Sequence, residues 1–282
     1  MKPARVLHVI GGLDAGGAEA LIMNAFRHID RRRWLFDVAV AAADSCHHDE
    51  EFRQLGGRVF RHPAPGQHWR GFLAAFRRTL EQGGPYQAVH SHVHYFSGVV
   101  LWMARRAGVP VRLAHSHSTR DGRSHSLKRQ AYRWAMRRLI LGCATRLLGA
   151  SLAAGEALFG EGAGNDPRFL VLPNGIDLDP YRKLNGGSAA PEAGLAIVHV
   201  GRFEQPKNHV FLLEVLCEVA RRMPEARLTL VGGGSLQSEV EERARRLGIW
   251  EKVHLLGVRR DVPELLAKMH VFAFPSLYEG LG

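Results

Sequence analysis

Cysteine is scarce in this chain: Cys46, Cys143 and Cys217 are odd in number, widely spaced and free of any C-x-x-C pair. That excludes a disulfide framework and fits reduced thiols in a cytosolic compartment. Long hydrophobic runs are missing as well. Nothing approaches the roughly 20 apolar residues a membrane-spanning helix needs, and Met1 to Ile10 reads as a first strand rather than a signal peptide. Acidic residues are in deficit, 27 against 38 Lys and Arg, which leaves a formal net charge of +11. Such a balance asks for an acidic partner: nucleic acid, anionic lipid or a nucleotide diphosphate. Zinc-finger spacing and an RNA-binding aromatic signature are absent, so nucleic acid is set aside. Repeats of solenoid period and low-complexity tracts are absent too.

What is present is a regular alternation. β-branched and aromatic runs predict strands over 5–10, 36–42, 58–61, 88–91, 111–114, 145–149 and 169–172. Helical periodicity falls between them over 18–28, 69–81, 96–106 and 126–141. Helix 18–28 should bury Leu21 and Ala25 with either Ile22 or Ile29. The pattern lapses between Pro173 and Gly194, where Asn174-Gly175, Pro180, Asn185-Gly186-Gly187-Ser188 and Pro191 mark a turn and a linker. It resumes with strands over 196–200, 227–231, 253–256 and 271–274 and helices over 210–223, 238–247 and 262–268. Ser238 with Glu241 reads as a capping box. The expected fold is α/β, mostly parallel and doubly wound, in two domains of residues 1–184 and 195–282 with a linker about 173–194. Four strands after Gly194, and a stop at Gly282 inside an apparent motif, predict an incomplete second domain and a poor catalyst.

Ligands of such sheets bind beyond the carboxyl ends of the strands. After strand 196–200 comes Gly201-Arg202-Phe203-Glu204-Gln205-Pro206-Lys207-Asn208. Pro206 suits the first position of a helix, whose free N–H groups and positive dipole end favour an anion. Arg202 and Lys207 add two fixed cations, a combination suited to a diphosphate. Solvated side chains on a plain strand–turn–helix are the plainer explanation. Gly11 to Gly17 lacks the G-x-G-x-x-G fingerprint, yet Gly16-Gly17 before a helix permits close approach of a ligand. Gly232-Gly233-Gly234 offers the same after strand 227–231. His90-x-His92-x-His94 and His115-x-His117 each place alternate imidazoles on one face of a strand. No suitably spaced carboxylate or cysteine completes a metal set, so contact with a hydroxylated substrate is favoured over a metal. Helix 126–141 mixes arginines with Leu127, Trp134, Leu139 and Ile140, as helices on anionic lipid do, and equally as a solvated basic face over a buried stripe does.

Taken together, HVIGGLDAGGAE, VHSHVHYFSG, RLAHSHST, VLPNGID, HVGRFEQPKNH, VGGG, LLGVRRDVPELL and PSLYEGLG resemble the GT-B glycosyltransferases of family 4, especially bacterial capsule and exopolysaccharide members. The pieces run in family order from near residue 8 to the end. The resemblance implies two Rossmann-like domains facing a cleft, the second holding a nucleotide-sugar. It implies a retaining hexosyltransferase that uses a nucleotide-diphosphate sugar, a UDP-sugar, with no metal or other cofactor. Arg202 and Lys207 would hold the diphosphate, with Gly201, Gly233 and Arg259 completing the donor site. Glu279 would be the first glutamate of an E-x7-E motif, touching the donor sugar, with the second beyond the chain. Gly16 and Gly17 would line the cleft, His117 would stand beside the reacting sugar, and His92 and His115 would form the acceptor-side wall. The implied partners are a glycan or lipid-linked acceptor and, through helix 126–141, the inner face of the plasma membrane. A non-catalytic nucleotide-sugar-binding module and a GT-B-like epimerase remain the alternatives.

Overall fold

The computed structural model describes residues 2–120, 126–182, 184 and 194–281. The linker residues 185–193 and Gly282 of the final motif lie outside the described residues. The chain divides into two compact units, residues 1–175 with 279–282, and residues 176–278. The last four residues thus group with the first unit, where the sequence places them in the second.

The first unit runs β1 (Ala4–Ile10), α1 (Gly17–His28), β2 (Trp34–Val40), α2 (Asp49–Gln54), β3 (Arg58–Arg61), α3 (Trp69–Gly83), β4 (Tyr86–Ser91), α4 (Ser97–Arg106), β5 (Val111–Ser116), α5 (Leu127–Cys143), β6 (Arg146–Gly149), α6 (Leu152–Phe159) and β7 (Phe169–Val171). All seven strands are parallel, in the order β3-β2-β1-β4-β5-β6-β7. Both faces are packed, as a parallel sheet requires. Leu7, Val9, Val89 and Ala114 point to the side of α3, α4 and α5. Ile10, Phe36, Val38 and Val40 point to α1 and α2. Helix α1 buries Ile22, Met23 and Phe26, one residue round from the expected Leu21–Ala25 face, because Phe26 fills the space against Phe36 and Phe52. Asp37 is fully buried on β2 and accepts hydrogen bonds from Arg5 at 2.5 Å and from the Arg58 side chain and backbone. A buried carboxylate is tolerated only with such partners.

The second unit runs α7 (Asp179–Arg182), β8 (Ala196–Val200), α8 (His209–Arg222), β9 (Arg227–Val231), α9 (Gln237–Arg246), β10 (Val253–Leu255), α10 (Val262–Leu266) and β11 (Val271–Phe272). Its strands are again parallel, in the order β10-β9-β8-β11. Leu212, Leu213 and Leu216 of α8 pack on Leu228 and Leu230 with Val240 and Ala244 of α9. Two local expectations fail here. Helix α9 starts at Gln237 with Leu236 as its cap and no side-chain cap bond, so Ser238 lies inside the helix and forms no capping box. Pro206 does not open α8: it sits in a separate short 3-10 turn, Gln205–Lys207. Asn208 follows in the left-handed region (φ 56°, ψ 43°), and α8 begins after it.

Candidate functional site

In each unit the strand order reverses at one place, between β1 and β4 in the first and between β8 and β11 in the second. A crevice beyond the strand ends is expected at such switch points. In the first unit that place is filled by imidazoles. His8, His90, His92, His115 and His117 alternate with Leu7, Val9, Val89 and Ala114, so all five lie on the other face of the sheet. His8 and His115 are buried, and His90, His92 and His117 half-buried. His8 Nδ1 lies 3.1 Å from His92 Nε2, and His92 Nδ1 lies 2.8 Å from His117 Nε2. The rings of His90 and His115 stack at 5.3 Å, and those of His115 and His117 come to 4.0 Å.

Burial keeps these rings neutral. It pushes the His8 imidazole down to about 3, partly opposed by the Asp37 carboxylate. Burial and then the neighbouring His117 push His115 down to about 3, with the Leu172 backbone pulling the other way. Burial alone takes His117 down to about 4. His90 and His92 fall well below their ordinary value through burial and then the surrounding histidines. A neutral imidazole offers one donor and one acceptor, which suits sugar hydroxyls.

His94 does not join them. Strand β4 ends at Ser91, and His94 starts a short 3-10 turn at φ 51°, with its ring against Tyr95 at 4.6 Å. The alternation holds through His92, whose N–H still donates to Val9 O at 2.8 Å, and breaks one residue later.

The segment from Glu279 packs beside the same strand ends. Thr119 Oγ1 donates to the Glu279 carbonyl at 3.0 Å, and Ser151 Oγ donates to the Gly280 carbonyl at 2.6 Å. Gly280 lies so close to the His117 carbonyl that a Cβ there would overlap it. Gly16 caps α1 in extended conformation, where a Cβ would overlap the Glu19 carboxylate, and Gly17 opens the helix, where a Cβ would lie 3.6 Å from Asn174 Nδ2.

In the second unit β8 leads to the cationic loop. Arg202 stands exposed, and Lys207 is half-buried with Nζ 4.7 Å from the centre of the Phe274 ring. That cation–π contact fixes the ammonium beside the loop that follows β11. Asn208 Nδ2 donates to Pro275 O at 3.3 Å, and Leu277 N donates to Pro206 O at 2.8 Å. The glycines 232–234 are used by the chain itself. Gly232, at φ 141°, sits against the Gly201 carbonyl, and a Cβ on Gly234, at φ 155°, would meet Phe203 O at 2.6 Å. Phe203 N donates to Gly233 O at 2.9 Å. Their small size therefore lets two loops pack, where the sequence suggests approach of a ligand. Arg259 is engaged in an exposed bidentate pair with Asp261, at 2.8 and 2.6 Å.

The family described as "Glycosyl transferase 4-like domain" matches residues 16–175, and "Glycosyl transferases group 1" matches residues 194–282. EpsF of Bacillus subtilis (strain 168) is 40% identical over 98% of this chain and 74% of its own length. The chain belongs to the GT-B glycosyltransferases. The capsular polysaccharide biosynthesis glycosyltransferase CapH of Staphylococcus aureus is 23% identical over 98% of this chain and 76% of its own. The crystal structure of Anabaena HepE in complex with UDP and glucose superposes with a TM-score of 0.73 at 20% identity, covering 96% of this chain and 74% of that one. Like other GT-B glycosyltransferases, the chain has two parallel-sheet units, and the candidate residues divide between them. His92, His115, His117, Gly16, Gly17 and Glu279 fall in the first, and Gly201, Arg202, Lys207, Gly233 and Arg259 in the second. Within the first unit the structure brings His92, His115 and His117 into contact. It adds His8, which the sequence pattern misses because only the pairing of β1 with β4 puts it there. Among the described residues no helix is long and apolar enough to cross a membrane.

Proposed function

We propose that the chain is a retaining hexosyltransferase that moves a sugar from a UDP-sugar to a glycan or lipid-linked acceptor in the synthesis of a capsular or related polysaccharide. The observation that carries this is the loop after β8, where Arg202 and Lys207 flank a tight turn at the switch point of the second unit. Two cations suit a diphosphate that gains charge as it leaves. The complex of HepE with UDP and glucose supports the uridine nucleotide, and the capsular role of CapH supports the polysaccharide. In this reading Arg202 and Lys207 hold the diphosphate, with Gly201, Gly233 and Arg259 nearby in the same unit. His117 stands beside the reacting sugar, Glu279 contacts the donor sugar, and His92 and His115 face the acceptor. The bond from the anomeric carbon to the diphosphate oxygen breaks. The acceptor hydroxyl attacks from the same face, and its proton ends on the departing diphosphate. No metal is needed, because the two cations take the role a divalent ion plays elsewhere.

In the same reading the chain works in the cytoplasm, peripheral to the inner face of the plasma membrane. Helix α5 supports this: Leu127 and Trp134 are exposed among Lys128, Arg129, Arg133 and Arg138, with no acidic residue in the helix. The test of the transfer itself is a screen of nucleotide-sugars by thermal shift, followed by turnover of the stabilising donor in excess chelator. UDP release that requires an acceptor is expected. Donor conversion without acceptor would mean an epimerase, and binding without turnover a binding module.

A further inference from the structure

The histidine cluster holds more nitrogen than a hydroxyl-binding wall requires. A hydrogen-bonded chain His8–His92–His117 uses both nitrogens of His92 and one each of His8 and His117. His8 Nε2, His90 Nε2 and His117 Nδ1 are buried and have no hydrogen-bond partner, and neither ring nitrogen of His115 completes a hydrogen bond. Native proteins rarely leave so many buried polar atoms unmade, and a bound ion is one recognised reason. Nitrogens of His92, His115 and His117 all lie within 4.8 Å of one another, and so do those of His8, His90 and His92.

We propose that His92, His115 and His117 form a binding site for a divalent transition ion, zinc by preference. Three neutral imidazoles are the donor set of one common open zinc site, with zinc–nitrogen distances of about 2.0–2.1 Å. Two ligands of one tetrahedral ion then stand roughly 3.4 Å apart. The 2.8 Å between His92 Nδ1 and His117 Nε2 is already near that, and small ring rotations bring in His115. The carboxylate whose absence sets a metal aside on sequence alone is not needed once three imidazoles converge. Imidazole selects zinc, copper and nickel over magnesium and calcium. The rings bind an ion only when neutral, the form that predominates for an imidazole at pH 7.

The His92 triad is favoured over the His8–His90 one by its place. His92 and His117 lie just past the ends of β4 and β5, half-buried, whereas His8 and His90 lie within strands. An ion at the rim keeps a path in and an open position for water. His8 then serves the site indirectly, since its Nδ1 accepts from His92 Nε2 and fixes that ring, as partners of zinc-bound histidines do. This site shares its three histidines with the sugar-side wall of the transfer reading, which itself requires no metal, and it is tested without activity.

The experiment is a Co²⁺ titration of chelator-treated protein followed by visible absorption, then displacement by Zn²⁺. One equivalent of Co²⁺ should give the bands of a low-coordinate nitrogen site, and Zn²⁺ should erase them and raise the Tm. His117→Ala and His115→Gln should each abolish the bands. His8→Phe should weaken binding about 10–100-fold, and His90→Gln should leave it intact. Melting curves without metal establish that each variant is folded. Absence of bands in the parent protein overturns the proposal. So does their survival in folded His117→Ala, their loss in His90→Gln, or their loss in a His68→Ser/His254→Ser surface control.

Discussion

At the ends of β4 and β5 the first unit carries imidazoles that burial holds neutral, whereas after β8 the second unit carries two cationic side chains, Arg202 and Lys207. The backbone plan is the same in both: parallel strands, a switch point and a loop beyond it. The difference lies in what each strand end asks of its surroundings. A buried neutral ring costs little while the pH stays high, but it becomes a liability once water offers protons. A guanidinium at the surface costs little at any pH. One sheet design thus supports a proton-sensitive region and a proton-indifferent one, and that contrast can be tested.

The largest expected effect is on the stability of the first unit in acid. The folded imidazoles of His8 and His115 titrate at about 3 and that of His117 at about 4, against about 6.5 when unfolded. Between these values the unfolded chain binds protons that the folded one does not. Stability is therefore present above about 6.5 and is lost as pH falls toward 4. Each ring contributes about 1.4 kcal/mol per pH unit, so at pH 5 the cluster costs on the order of 5 kcal/mol or more, comparable to a domain's whole stability. In the second unit His209 is likewise pushed down to about 4, by burial first, so its loss should be smaller. Urea unfolding at pH 7 and pH 5, followed by tryptophan emission, separates the two. Trp34, Trp69, Trp102 and Trp134 report the first unit and Trp250 the second, and Trp250→Phe isolates the former. Equal urea midpoints at the two pH values would remove the account of the buried rings.

Next in size is the loss of the cations. Arg202→Ala and Lys207→Ala each remove a charge-assisted contact worth roughly 1.5–3 kcal/mol, a tenfold to more than hundredfold fall in kcat/KM for the donor. His117→Ala should lower turnover and spare UDP affinity. If His117→Ala weakened UDP as much as Arg202→Ala does, the division of roles between the units would be wrong.

Much of the fold could be read from the sequence because parallel strands are short apolar runs with clear borders. Arg58–Arg61, Ala196–Val200 and Arg227–Val231 match the expected bounds to the residue. Helices α2 and α6 escape, one being six residues long and the other carrying Gly155 in its middle, so neither shows a full helical period. Ser151 accepting from Ala154 N at 3.1 Å is the signal that marks the start of α6. The site divides likewise. His90/His92 and His115/His117 are readable because the strand period is two. His8 is not, since strand pairing across more than 80 residues leaves no local trace. His94 is misread because the alternation is carried past the strand's end at Ser91, where the chain has already turned into the 3-10 turn that His94 starts.

A smaller effect separates two glycine loops that look alike in sequence. Gly232→Ala should destabilise the second unit by roughly 1–3 kcal/mol, because φ is 141° and the new Cβ would overlap the Gly201 carbonyl. Gly11→Ala meets nothing within 4 Å and should change the Tm of the first unit little. Thermal melts of the two variants decide this. Equal shifts would mean that the packing of the 201–203 and 232–234 loops is not what requires glycine.

The smallest effect per residue is expected on helix α5, and it too rests on a contrast between the units. Helix α9 of the second unit has Arg243, Arg245 and Arg246, but Glu239, Glu241 and Glu242 balance them, and Arg243 and Arg245 pair with Glu214 and Glu241. Helix α5 has Lys128, Arg129, Arg133, Arg137 and Arg138 and no acid. Arg137 is turned inward, donating to the Leu158 and Ala157 carbonyls, so it belongs to the packing of α5 on α6. Leu127, Ala131, Trp134 and Arg138 form an exposed stripe at helical spacing, with the Arg138 guanidinium 5.4 Å from the Trp134 ring centre. An exposed tryptophan beside Arg138, on a helix that carries no acid of its own, suits the boundary of an anionic bilayer, where each basic residue contributes about 1 kcal/mol. Lys128→Gln and Arg138→Gln should therefore each weaken binding to vesicles rich in phosphatidylserine about fivefold. Salt should weaken the parent in the same way, and Trp134 emission should shift to the blue on binding. Arg243→Gln on α9 should change nothing. Equal binding of the parent to neutral and anionic vesicles would leave the basic stripe a solvated surface, and the difference between α5 and α9 a matter of packing alone.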